Sequence, residues 1–163
     1  MTGNGDKAER LLAAARQIRA NIGDCWVMTA AEDGGAHGRI VVPIPALRGE
    51  DEWIIWFLTG RHSRKVREIR RSGRLTLGYQ HPPDRSYVAL AGAALVVEDR
   101  AIVGRHWQED WNTVFPRGAA DDNAVVVRVE VDRIEVWSPG VTAATRHETL
   151  IRGQTPQWIV ASD

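Results

Sequence analysis

The sequence predicts an antiparallel barrel of six strands with helical additions, a mainly β fold of the α+β class. Two observations carry this. Residues 25–59 hold three strand-like runs separated by turn signals, with no helix between them, which excludes the strict strand–helix alternation of a doubly wound sheet. The runs at 75–80, 86–98 and 124–137 are again apolar, β-branched or alternating, and closing such strands on themselves removes exposed edges.

Each element has its own signal. Over residues 6–22, Leu11, Leu12, Ala15, Ile18 and Ile22 recur at helical spacing, which predicts an amphipathic helix. Gly23 and Asp24 stop it. A strand follows at 25–31, then the hairpin signal Glu32-Asp33-Gly34-Gly35 and a return strand at 36–44 that ends among Pro43 and Pro45. Residues 48–52 form a charged turn before the strand at 53–59. A short basic helix is expected at 63–71, and a half-buried strand at 75–80. After the turn His81-Pro82-Pro83-Asp84, a long strand spans 86–98, with Gly92 as the expected bulge site. Residues 100–114 read as a helix with Ile102, Val103, His106, Trp107 and Trp111 near one face. The last clear strand is 124–137, broken by Ser138-Pro139-Gly140, and residues 149–152 and 157–160 can pair as a short hairpin.

The 163 residues suit one domain spanning 1–163, with the helix in 1–23 and a C-terminal extension at 141–163. Basic and acidic residues balance at 21 each, so net charge favours no class of partner. The single cysteine, Cys25, excludes an internal disulfide and fits a reducing compartment. No window reaches the apolar length of a membrane span, and the N-terminus lacks a signal-peptide core. A cytoplasmic protein is expected.

The most informative stretch is residues 53–65. An aromatic and β-branched run ends in Thr59, and after a short turn Ser63, Arg64 and Lys65 open the basic helix. Helix N-termini present free N–H groups and the positive end of a dipole, so hydroxyls and cations at this junction suit a phosphate. Arg39 interrupts an otherwise apolar strand and can be a second clamp on the same anion or an edge-strand cation. Residues 61–74 carry seven cations against the single acid Glu68. Past the first helical turn, Arg67, Arg70 and Arg71 read as a solvated face whose stems cover apolar surface. One short basic run in a neutral chain lacks the companion motifs of a nucleic-acid binder.

No catalytic constellation stands out. His37, His62, His81, His106 and His147 are scattered without metal-ligand spacing, and surface or capping roles are expected for them. Glu109-Asp110 and Asp121-Asp122 are adjacent pairs that do not share a helical face. Seven tryptophans are present; Trp53 and Trp56, three apart in a strand, should face opposite sides, and Trp107 and Trp111 should share a helical face. An enzyme of this composition would take its reactivity from a bound cofactor.

In order, these motifs resemble the pyridoxamine-phosphate-oxidase-like flavin-binding split β-barrel proteins, especially the general stress protein branch. The matching residues are Arg39 with its following apolar run, Phe57-Leu58-Thr59, Ser63-x-Lys65, and the 75–82 and 87–94 strands. Phe115-Pro116-Arg117-Gly118, the 125–129 strand and the 135–140 segment complete the set. The resemblance runs from about Cys25 to Gly140 and implies FMN at the interface of a homodimer. Carried over, Arg39, Ser63, Lys65 and Arg64 would hold the phosphate. Val41, Phe57, Leu58 and Thr59 would lie along the ring and ribityl chain, Gln80 would meet the flavin, and Trp111 or Trp137 would reach over from the partner subunit. The likeness stops short of the vitamin B6 oxidases, whose C-terminal Arg-x-His is here an adjacent Arg146-His147. The implied function is an FMN-dependent oxidoreductase acting on an unknown small molecule. The alternatives are a non-catalytic flavin-binding or redox-sensing module, and a deazaflavin- or haem-binding relative. No metal site, catalytic residue or membrane association is implied.

Overall fold

The computed structural model describes residues 2–154 and 157–161. Helix α1 (Thr2–Ala20) precedes the hairpin of β1 (Cys25–Ala30) and β2 (Ala36–Val41). Then come β3 (Pro43–Ile44), β4 (Ile54–Gly60), α2 (Arg64–Ser72), β5 (Arg74–His81), β6 (Ser86–Val97) and α3 (Arg100–His106). The chain continues through short 3-10 turns at Glu109–Thr113 and Gly118–Ala120 into β7 (Ala124–Trp137), β8 (Glu148–Arg152) and β9 (Trp158–Val160).

Among the described residues, nine strands form one curled sheet in the order β2-β1-β5-β6-β7-β4-β3, with β8 and β9 branching from β7. Every strand pair is antiparallel. This is the expected split β-barrel. The predicted strand at 36–44 divides, because Pro43 and Ile44 leave β1 and pair instead with Phe57 and Trp56 of β4. A proline has no N–H to continue the first ladder. The division leaves a split. Among the described residues β2 pairs only with β1, and β4 beyond Phe57 pairs only with β7. Two free backbone edges, near Arg39 and Val41 on one side and Leu58 and Thr59 on the other, therefore belong to strands joined by β3.

The main core fills the barrel. Val27, Ile55, Phe57, Leu77, Leu90, Val129 and Ile134 are fully enclosed, and α1 closes one side with Leu11, Ala15 and Ile18. Burial of each large side chain contributes about 1.5–3 kcal/mol. A second cluster lies on the far face of β4, where Ile54 and Trp56 pack with Val103, Val126, Trp107 and Trp111. Trp53 and Trp56 thus face opposite sides, as their spacing predicts.

Two differences from expectation and one agreement are informative. The first helix starts at Thr2 rather than residue 6. The predicted helix at 100–114 ends at His106, because Trp107 is extended at φ −62, ψ 137. The chain resumes as a 3-10 turn, which brings Trp107 and Trp111 edge to face at 5.5 Å. Docking both indoles on β4 outweighs helical continuity. The bulge falls where Gly92 predicts it: the β6–β7 register shifts between Ala91 and Gly92.

Candidate functional site

Helix α2 seals one end of the barrel beside β1 and β2. Its N-cap is Ser63, whose backbone is extended and whose side chain caps nothing. The Ser63 Oγ is buried and has no hydrogen-bond partner among the described residues. Arg39 lies on the inner face of β2, opposite Val27 of β1. Its Nη2 donates to Thr29 Oγ1 at 3.0 Å and to Glu68 Oε2 at 3.1 Å. Its Nε is buried and, among the described residues, also lacks a partner. Half-buried Lys65 has its pKa pushed down, first by burial and then by the nearby positive charge of Arg39. Two cations held close enough to repel, together with two unsatisfied buried polar atoms, make a donor set suited to an anion. A phosphate fits that donor set, with the α2 N-terminus adding its dipole.

Glu68 is the centre of this cluster and the residue that sequence reasoning left unassigned. It is 6% exposed. Thr29 Oγ1 donates to its Oε2, and His37 Nδ1 lies 2.6 Å from its Oε1. Arg64 Nε stands at 3.9 Å, one helical turn back. The sequence did hold a signal: Glu68 is the sole acid in the basic run. His37, expected at the surface or in a cap, is half-buried in this network.

The other expected site residues fall in three places. Val41 is 8% exposed, Phe57 is fully enclosed and Thr59 is 6% exposed, all facing the barrel interior, so Val41 and Thr59 present backbone rather than side chain to the split, while Phe57 is paired on both sides. Leu58 points the other way, into the second cluster with Trp111. Gln80 and Trp137 are both cross-strand neighbours of Tyr87 on the outer face of the sheet, and Trp137 stacks on Tyr87 at 6.2 Å. The fold therefore gathers Arg39, Ser63, Lys65 and, at the rim, Arg64. It leaves Gln80, Trp111 and Trp137 away from them within one chain.

Other chemistry is sparse. His106, expected at the surface or in a cap, is 3% exposed, lies tilted against Trp56 at 4.2 Å and has its pKa pushed down by burial. No metal-binding group of three His, Cys, Asp or Glu occurs among the described residues. A cleft of about 770 Å³ lies between the end of α1 and residues 43–50. Two of its three arginines are engaged: Arg16 pairs with Glu9 and Glu52, and Arg19 covers the Trp53 ring. No helix among the described residues is long and apolar enough to cross a membrane.

Comparison with known proteins agrees with this architecture. No curated protein sequence matches the chain significantly. Among solved structures, it is similar to a Clostridium acetobutylicum protein related to general stress protein 26 of B. subtilis, at TM-score 0.74 and 15% identity over 88% of this chain and 95% of that one. A pyridoxamine 5'-phosphate oxidase-related, FMN-binding protein from Nostoc punctiforme aligns at TM-score 0.64 and 12% identity, covering 95% of this chain and 96% of that one. A heme-binding protein from Mycobacterium smegmatis aligns at TM-score 0.62 and 18% identity, covering 89% of this chain and 57% of that one. At such identities these likenesses carry the fold. The family model "Pyridoxamine 5'-phosphate oxidase like" matches residues 13–155, and the chain belongs to that family.

Proposed function

We propose that this protein binds FMN, with the phosphate at Arg39, Ser63 and Lys65 and the ring along the split between β2 and β4. The observation that carries this reading is the pair of orphaned buried atoms, Ser63 Oγ and Arg39 Nε, beside the two mutually repelling cations. A dianionic phosphate satisfies all of them at once. Free backbone edges at Val41 and at Leu58–Thr59 suit the polar rim of a flavin and its ribityl chain. Binding of flavin by the Nostoc punctiforme relative supports the assignment. Arg64, exposed at the rim, supplies a further cation.

The reading includes a homodimer. Trp26, Ile40 and Val42 are 52%, 48% and 58% exposed on the outer sheet face. Trp26 and Ile40 are cross-strand neighbours, and a contiguous apolar face of this kind suits a second copy. Gln80 and Trp137 share the outer face, and a partner subunit is the means by which they, or Trp111, reach a neighbouring ring.

FMN, when bound, supplies two-electron redox chemistry. The protein's own residues bind the phosphate, fix the ring and shield it from water. An oxidoreductase acting on a small molecule follows from that chemistry. A non-catalytic flavin module is distinguished by whether NADH or NADPH reduces the bound flavin and an acceptor reoxidises it with turnover.

Binding is tested by titration with FMN, riboflavin, a deazaflavin and haem. FMN should bind, and Arg39→Ala, Lys65→Ala and Ser63→Ala should each weaken it about tenfold or more, the scale of one hydrogen bond to a charged group. Riboflavin, lacking the phosphate, should be affected little. Equal losses for both ligands would remove the phosphate assignment, and haem binding without flavin binding would replace FMN as cofactor.

A further inference from the structure

Glu68 belongs to none of the roles assigned so far, yet it is the best-connected side chain at the α2 end of the barrel. A carboxylate is seldom this deeply enclosed unless its partners compensate for lost water. Here they come from three elements: Thr29 of β1, His37 and Arg39 of β2, and Arg64 of α2 itself. The contact with Arg39 is one-sided. Glu68 Oε2 and Thr29 Oγ1 both accept from the same nitrogen, Nη2, while Nε remains buried without a partner among the described residues. A guanidinium is a planar fork, so fixing one nitrogen fixes the direction of the others.

We propose that Glu68 is a positioning residue: by holding Arg39 Nη2 from the second turn of α2, it turns the Nε edge of the guanidinium toward the phosphate. This rests on the phosphate assignment made above. It adds that the reach of the Glu68 side chain, rather than its charge, sets the strength of the grip. A negative charge beside a phosphate opposes binding, so a carboxylate placed there for electrostatics alone would weaken the site. A carboxylate placed there to orient an arginine strengthens it.

The two roles separate by substitution. Glu68→Asp keeps the charge and withdraws the carboxylate by one methylene; Glu68→Gln keeps the reach and removes the charge. The readout is the ratio of riboflavin to FMN dissociation constants, which isolates the phosphate contribution from general effects on the fold. We expect Glu68→Asp to lower that ratio about tenfold, the scale of a charge-assisted hydrogen bond. Glu68→Gln should hold it at or above the wild-type value. In an Arg39→Ala background, Glu68→Asp should change the ratio no further, because its effect passes through Arg39. An unchanged ratio in Glu68→Asp, or an equal fall in Glu68→Gln, overturns the proposal. A fall in Glu68→Asp that persists without Arg39 also overturns it. If instead Arg39→Ala and Lys65→Ala leave the ratio untouched, it is the phosphate assignment that fails. Both Glu68 variants retain a polar side chain of similar size, so they keep the test usable where Glu68→Ala would leave Arg39 uncompensated and unfold the chain.

Discussion

Ser63 and Glu68 are satisfied in opposite ways. A serine at an N-cap ordinarily bonds back to its own helix, contributing about 1 kcal/mol; Ser63 forgoes that bond, and its hydroxyl stays available to a ligand. Glu68 gains the opposite property. Burial by itself would raise its pKa, but hydrogen bonds from Thr29, His37 and Arg39 outweigh burial and hold it at about 2, against an ordinary 4.5. The sign of the consequence follows directly. The unfolded chain takes up the proton first, so the stabilisation is complete above about pH 4.5 and is lost as pH falls toward about 2. Urea midpoints followed by tryptophan fluorescence should therefore show wild type more stable than Glu68→Gln at neutral pH, with the gap closing across that window. A gap independent of pH would show that the carboxylate's charge is not what Glu68 contributes to stability.

At the scale of elements, the strands were legible because alternation and β-branching report burial on one or both faces. Gly92 is the clearest case. A Cβ placed there would lie 2.1 Å from the Glu130 carbonyl oxygen of β7. That close approach is what the bulge between Ala91 and Gly92 accommodates. Gly92→Ala must push two paired backbones apart, and overpacking of this kind costs about 1–3 kcal/mol or more. We expect a lower thermal midpoint for Gly92→Ala by calorimetry, with flavin affinity preserved in the folded fraction; an unchanged midpoint would mean the sheet yields there freely. The helix at 100–114 was misread for a physical reason. Its apolar spacing, Ile102, Val103, His106, Trp107 and Trp111, is real, but two indoles meeting edge to face on β4 are satisfied by a broken helix as well as by a continuous one. Likewise, Pro43 marks where the first ladder must end, but which strand Pro43 and Ile44 pair with next is decided by the neighbour they find in the fold.

At the scale of the molecule, the phosphate cluster and the ring-side candidates lie on different surfaces. Arg39 faces the interior beside α2, whereas Gln80, Tyr87 and Trp137 line the outer sheet face with Trp26. The two-subunit site proposed above would resolve this separation and would link association to cofactor binding. Trp26→Glu places a charge at the centre of the exposed apolar face and should shift the protein to monomer in sedimentation velocity, with weaker binding of FMN and riboflavin alike. A dimer that survives this change, or a monomer that keeps full flavin affinity, would refute the shared site. The 148–160 region, an expected hairpin of no evident purpose, acquires one at this scale. β8 extends the sheet from β7, and Trp158 of β9 packs edge to face on Trp53 at 5.7 Å, with Lys7 of α1 paired to Glu148 at 2.9 Å.

The sequence by itself determined the antiparallel barrel, the position of the bulge and the cation-rich start of the helix at residues 63–65. These depend on periodicity, glycine sterics and helix-end chemistry, all of which act over a few residues. Only the tertiary structure decided that Arg39 faces inward, that Ser63 Oγ has no hydrogen-bond partner among the described residues, and that Glu68 and His37 share one network with Arg39. Those facts depend on which elements meet across the barrel, from β1 at Thr29 to α2 at Glu68. A contact between residues 39 apart in the chain leaves no local pattern from which it could be read.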